Sequence, residues 1–206
     1  MNARARIAAV GAAVLFSAFG VLAPAGAATP ITATDGPGLA AAVFGSADPQ
    51  AAYASLTPAQ QTTLQNYETP GATLTRTTNV TPAPPEVTGG KVVATCWTGI
   101  ATFEKENLVG KTIYTWWQTL RWCTKNHISV SSYVVLDQGG ETSTPGWSYG
   151  GHGLSGKLIS GNQARSYTTE KFNFNVLWTS FSNTVCAQIR ASGNGSVTYM
   201  DSCNLS

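Results

Sequence analysis

Lys111-Thr-Ile-Tyr-Thr-Trp-Trp-Gln-Thr-Leu-Arg-Trp-Cys123 alternates large apolar side chains with polar ones. Tyr114, Trp116, Leu120 and Trp122 recur at period two, so an extended chain carries all four on one face. Trp117 falls on the opposite face. A helix would scatter the same rings around its circumference, so the segment reads as a β-strand with one buried side.

Two more runs carry the same signature. Ile128–Leu136 is β-branched and apolar with serines between, and Phe172, Phe174, Val176 and Trp178 alternate with Asn173, Asn175, Leu177 and Thr179. Clusters of Asn, Gly and Pro separate the runs. The expected fold is mainly β, an antiparallel sandwich or small barrel. All four Cys and all six Trp lie within residues 91–206, a length sufficient for one independent core.

Four Cys allow three pairings. Asn194-Gly195 is a strong hairpin signal, and a two-residue type I′ turn there sets Gly193 opposite Ser196. Counting outward, that register sets Cys186 opposite Cys203 at a non-hydrogen-bonded position, where side chains approach closely. It also puts Val185, Ala187, Ile189 and Met200 on one face, and Gln188, Arg190, Val197, Tyr199 and Asp201 on the face of the disulfide. Cys96 and Cys123 then pair by elimination. A turn at Asn107–Gly110 brings Cys96 within two residues of facing Cys123, so the pairing calls for a bulge. Each bridge is worth about 3 kcal/mol. The long Cys spacings, with no His beside them, argue against a zinc site.

Upstream, Met1–Arg6 carries two positive charges, Ile7–Ala23 is almost wholly apolar, and Pro24-Ala-Gly-Ala27 supplies small residues before a cut. This is the layout of a secretory leader, residues 1–27, cleaved after Ala27. Residues 28–78 are rich in Ala, Thr and Gln. Gly38–Phe44 and a segment starting with Thr57 at N-cap and Pro58 at N1 are expected as short helices, with Leu56, Leu64 and Tyr67 along one side. Such helices are too short to stand alone. Residues 79–90, with three prolines and a closing Gly pair, read as a linker, and residues 91–206 as the disulfide-bonded β domain.

Loss of the leader removes Arg4 and Arg6, two of the 12 Lys+Arg, and leaves ten charges of each sign. A neutral chain has no general attraction to phosphate backbones or anionic surfaces, so neither nucleic acid nor membrane insertion after leader cleavage is expected. The partner is expected to be an extracellular ligand or protein. No cofactor is called for.

The candidate ligand-binding segment is Pro145-Gly-Trp-Ser-Tyr-Gly-Gly-His-Gly153, in which Trp147, Tyr149 and His152 are interleaved with glycine. Aromatic rings on such a backbone suit stacking on a sugar, although Trp147 and Tyr149, two apart, also suit a core. Trp117 joins them as a ring expected outside. No Gly-x-Ser-x-Gly elbow is present, and with all Cys oxidised no thiol nucleophile remains. Asp137-Gln-Gly-Gly-Glu141 suits a polar turn better than a calcium loop.

Two segments, Ala51-Ala-Tyr-Ala-Ser-Leu-Thr-Pro-Ala-Gln-Gln61 and the Trp-rich strand ending Arg121-Trp122-Cys123 with a later Gly146-Trp147-Ser148-Tyr149, resemble small secreted actinobacterial proteins of unknown function. The resemblance implies a Gram-positive extracellular setting and no particular activity. Three functions are compatible with these readings. They are a non-catalytic domain binding carbohydrate or another surface ligand, a structural or inhibitor-like interaction protein, and a hydrolase whose site the sequence does not reveal, with His152 and Asp201 as the residues to substitute in a test.

Overall fold

The structure, a computed structural model, describes residues 30–176 and 179–206. The leader assigned to residues 1–27 lies outside them, as do Leu177 and Trp178. Three helices, α1 (Gly36–Phe44), α2 (Pro49–Ala54) and α3 (Pro58–Glu68), precede eight strands. The strands are β1 (Pro70–Thr88), β2 (Lys91–Asn107), β3 (Thr112–Lys125), β4 (Ser129–Glu141), β5 (Trp147–Ser160), β6 (Gln163–Val176), β7 (Thr179–Ser192) and β8 (Val197–Met200). They form two antiparallel four-stranded sheets, each a simple meander in chain order, β1 to β4 and β5 to β8. The inner faces pack together as a sandwich.

The strand that decided the reading is the centre of that packing. Tyr114, Trp116, Leu120 and Trp122 are at most 1% exposed, and Gln118 on the same face is equally buried. From the second sheet, Phe172, Phe174, Ala187 and Ile189 join them in one cluster. Tyr114 stacks on Phe172 at 4.0 Å between ring centroids, and Phe103 on Trp116 at 5.5 Å. The Trp116 indole N–H donates to Cys186 O at 2.9 Å, and Gln118 Nε2 to Ser166 Oγ at 3.1 Å. Polar atoms carried into the interior thereby tie the two sheets together.

Several sequence readings change. Residues 79–88 are no linker: they form the second half of β1, paired with β2 from Thr78↔Ala101 to Thr88↔Lys91. Their prolines are tolerated because β1 is an edge strand, and register shifts bracket Pro84 and Pro85. The β domain therefore begins at Pro70. β6 stops at Val176, opposite Thr179, rather than running on through Thr179. Asp137–Glu141 is strand, neither turn nor loop.

Both disulfides form as paired in the sequence reading, Cys96–Cys123 and Cys186–Cys203. Cys96 faces Cys123 directly, because the needed bulge sits beside the turn: Lys105 pairs with Tyr114 but Glu106 with Thr112. The extra residue, Ile113, lets two consecutive side chains, Ile113 and Tyr114, both enter the core.

The β7–β8 register differs from the expected one. The loop has three residues, 193–195, closed by Ser192 N–H to Ser196 O at 2.8 Å, with Gly195 at φ +87°. Every facing pair shifts by one, to Gln188↔Met200, Ile189↔Tyr199 and Ala191↔Val197. Val197 and Tyr199 consequently pack against the core instead of sharing the disulfide's face. β8 ends at Met200, so Cys203 reaches Cys186 from a tail. Gln188 Nε2 and Arg190 Nη2 hold that tail by Asn204 O at 2.6 and 3.0 Å, and Arg165 Nη1 holds Leu205 O at 2.6 Å.

The helices start where the caps say. Thr57 and Gln60 form a reciprocal capping box on α3, and Asp35 and Asp48 cap α1 and α2. Leu39, Ala40, Val43, Leu56 and Leu64 make a small core against which Tyr67 packs. Phe44 belongs to this cluster and also to the sandwich core, and Asn107 Nδ2 donates to Tyr67 O at 2.8 Å. The helical region is thus docked on the sandwich. No helix among the described residues is long and apolar enough to cross a membrane, and the two disulfides are those of a chain folded in an oxidising compartment.

Glu68, the last residue of α3, is buried at this junction beside the Trp147 indole, and neither carboxyl oxygen closes a hydrogen bond. Burial pushes its pKa up to about 8, against a smaller opposing effect of the Trp147 N–H. The fold holds the protonated acid, so the folded chain binds the proton more tightly than the unfolded chain. That contribution is complete below the ordinary Glu range and is lost as pH rises toward 8. Thermal melts from pH 5 to pH 8 should show falling stability, on the order of a few kcal/mol across the range. Glu68→Gln should flatten that slope and raise the melting temperature at pH 8.

Candidate functional site

The glycine-rich segment lies on β5, an edge strand. Its register against β6 slips twice, between Tyr149 and Gly151 and between His152 and Ser155. Thr169 Oγ1 occupies the second gap, accepting from Leu154 N at 2.6 Å and donating to Leu154 O at 3.0 Å. A Cβ at Gly153 would lie 2.6 Å from that hydroxyl, so glycine is required there. Bulges re-aim side chains, and here they turn both Tyr149 and His152 onto one acid.

That acid is Glu170 of β6, with no exposed surface. The Tyr149 hydroxyl donates to Glu170 Oε2, and His152 Nδ1 lies 3.1 Å from Glu170 Oε1. A carboxylate only accepts, so the proton of that second bond sits on Nδ1. The His152 side chain is 34% exposed. The Tyr149 ring packs on Phe172 and uses the room left by Gly140, where a Cβ would meet Phe172 Cζ at 2.5 Å and Tyr149 Cε2 at 3.0 Å. Burial raises the Tyr149 pKa, and its hydrogen bond to Glu170 and the charge there raise it further, outweighing a backbone bond from Gly140. Tyr149 therefore stays a phenol.

A groove of about 390 Å³ runs between the two edge strands, lined by Val135, Leu136, Asp137 and Gln138 of β4 and by Ser155 and Lys157 of β5. Behind it, Gln118 Oε1 and Thr168 Oγ1 are buried without a protein partner. Their strand neighbours, Gln138 and Ser155, belong to the groove wall. On the outer face of the first sheet, the Trp117 indole lies over Gly139 and its N–H donates to Asp137 Oδ2 at 2.8 Å. A Cβ at Gly139 would come within 3.0–3.5 Å of three atoms of that ring, so glycine leaves room for it to lie close to the strand. Asp137 thus joins the indole to the groove. Thr102 faces Trp117 across the β2–β3 ladder, with Thr115 and Thr119 on either side along β3.

Of the four residues singled out from sequence, Tyr149 and His152 meet on Glu170, and Trp117 sits half-buried on the outer face. Trp147 is a correction. It is 7% exposed and packed among Tyr114, Phe174 and Phe181, so it contributes to the core and not to ligand contact. His152 is paired with Glu170. Glu170 was one of six carboxylates in residues 91–206 and was not singled out, because one acid in Thr-Thr-Glu-Lys carries no motif. The signal was its parity: it shares the period-two file of Phe172 and Phe174, which carries a charge indoors. Among the described residues, one grouping brings metal-ligating atoms close together, Glu86 with Cys96 and Cys123. Its two sulfurs are bonded to each other and offer no thiolate.

No family model, curated protein or solved structure matches this chain.

Glu170→Ala would strand the Tyr149 hydroxyl and the His152 N–H at a buried site, a loss of about 2–3 kcal/mol in a denaturant titration. Glu170→Gln keeps an acceptor for one of them and should lose less.

Proposed function

We propose that this is a secreted, non-catalytic β-sandwich that binds carbohydrate outside the cell, with Trp117 as the stacking platform and the β4–β5 groove as the polar subsite. The observation that carries the reading is the Trp117–Asp137–Gly139 arrangement. An indole laid over a glycine and held by its N–H offers a fixed ring face to the outside. A ring held in place loses little entropy when a sugar stacks on it. Beside it, Asp137 accepts, Lys157 donates, and Gln138 and Ser155 do both, which suits the alternating donors and acceptors of sugar hydroxyls.

Secretion is supported by the leader layout of residues 1–27 together with two disulfides. A hydrolytic reading finds a histidine oriented by a buried carboxylate, as a general base would be. Among the described residues, however, His152 hydrogen-bonds Glu170 alone, and no serine hydroxyl or second carboxylate bonds to it. The Tyr149–Glu170–His152 group is read instead as the lock that closes the open edge of the sandwich beside the groove.

Retention on insoluble polysaccharides and binding on a glycan array test the proposal. Trp117→Ala should weaken binding about tenfold or more, from the lost ring contact. Asp137→Ala should weaken it as well by freeing the indole. If no glycan is retained, or if Trp117→Ala binds as the parent does, the proposal fails.

A further inference from the structure

The net charge of the leader-free chain is zero, yet the fold sorts the charges by height. The β1–β2, β3–β4, β5–β6 and β7–β8 turns all emerge at one end of the sandwich, since Lys91 starts β2 where Lys125 ends β3 and Gln163 pairs with Ser192. The two sheets meet there, with Gly193 against the Ile128 backbone and Gly195 against the Trp97 ring. Lys91, Lys125, His127 and Lys157 are exposed at or near these turns. Glu86 is the acid close to them, and its carboxylate accepts from Ser132 Oγ at 2.6 Å. Arg165 and Arg190 also lie within two residues of the turns, spent on carbonyls of the C-terminal tail. The opposite end carries Asp35, Asp48, Glu68, Glu104, Glu106 and Glu141, against Lys105 and Lys111.

The same end exposes branched apolar side chains. Val87, Val92 and Val93 are 56%, 65% and 42% exposed, Ile128 68% and Ile159 45%. The β1–β2 hairpin runs past the first β2–β3 pair, Thr95↔Thr124, by four residues of β2. It stands out as a two-stranded finger of about 13 Å, and the successive residues Lys91, Val92 and Val93 at its tip are all exposed. Ile128 follows a tight turn, Ile128 N–H to Lys125 O at 3.1 Å, whose central residues Asn126 and His127 both have positive φ. A non-glycine pair in that region is held by its surroundings. Here the His127 ring packs edge-on against Trp97.

From these observations we infer that this end of the sandwich docks on an anionic lipid surface. The valine finger and Ile128 enter the headgroup layer, and Lys91 and Lys125 meet the phosphates. A soluble polyanion would engage the lysines and leave the valines and Ile128 in water. A neutral apolar partner would bury the valines and leave the lysines unpaired. A bilayer interface accepts both groups at once, and an apolar depth of about 5–10 Å is within the finger's length. The sequence pointed away from membranes because net charge is a sum; a surface responds to local charge.

The site is remote from Trp117, so it can be tested apart from carbohydrate binding. Chain purified from the medium of a secreting host is co-sedimented with phosphatidylglycerol vesicles and, separately, with phosphatidylcholine vesicles. Binding should favour the anionic vesicles at least tenfold and survive in part at high salt. Val92→Asp and Ile128→Asp, at exposed positions that leave the circular dichroism unchanged, should each abolish the salt-resistant part. Lys91→Glu with Lys125→Glu should remove the preference for anionic lipid. Absence of sedimentation with either vesicle overturns the inference. So does binding that salt removes entirely and that neither aspartate variant changes.

Discussion

Tyr114 lies on Phe172 with ring centroids 4.0 Å apart, and everything else in the molecule is arranged around that face-to-face contact between sheets. It requires the bulge at Ile113, which sets Tyr114 at the correct height, and it requires glycine at 140, where any side chain would strike Phe172 Cζ. Trp116 and Phe103 extend the layer within the first sheet, and Trp147 and Phe174 within the second. Inserted rings of this size, each burying on the order of 150–250 Å², make the sheets one cooperative unit. They also provide the floor on which Phe44 docks the helices.

The aromatic layer does not fill the whole interior. Along β6 the inward file runs Ala164, Ser166, Thr168, Glu170, Phe172 and Phe174, passing from small and polar to aromatic. The polar half of that file faces Gln118 and, farther out, the gap between β4 and β5. A sandwich of two open meanders leaves unpaired edges, and this one has its polar seam next to an edge. Tyr149 and His152 close part of the gap by binding Glu170, and the rest is the groove. The candidate ligand site is thus the place where two sheets that pack well elsewhere fail to meet over polar side chains.

Much of the fold was legible in the chain. Alternation identified the strands because a half-buried strand must present one face, and the Thr57 cap marks the start of α3 by local hydrogen bonding. The disulfide partners were also legible. The β7–β8 register was not, since Asn194-Gly195 suits a two-residue turn and, with Gly193 added, a three-residue one equally well, and one residue inverts the faces of Val197 and Tyr199. Residues 79–88 misled for a related reason. Three prolines argue against a strand only if both of its sides are paired, and being at an edge is a property of the sheet. Of the site, Tyr149, His152 and Trp117 were legible as unusual residues, while Glu170 was not, because its partners sit 18 and 21 residues away.

By itself the sequence determined the mainly β class, most of the strands and the cysteine partners, because these depend on period, composition and short-range geometry. Only the tertiary structure decided that Trp147 is core and Trp117 is not, that a lone glutamate joins Tyr149 to His152, and that one end of the sandwich is basic and apolar. Such properties depend on which strands become neighbours and at which end their turns emerge. Those choices are made by long-range contacts between the sheets, which no local pattern encodes.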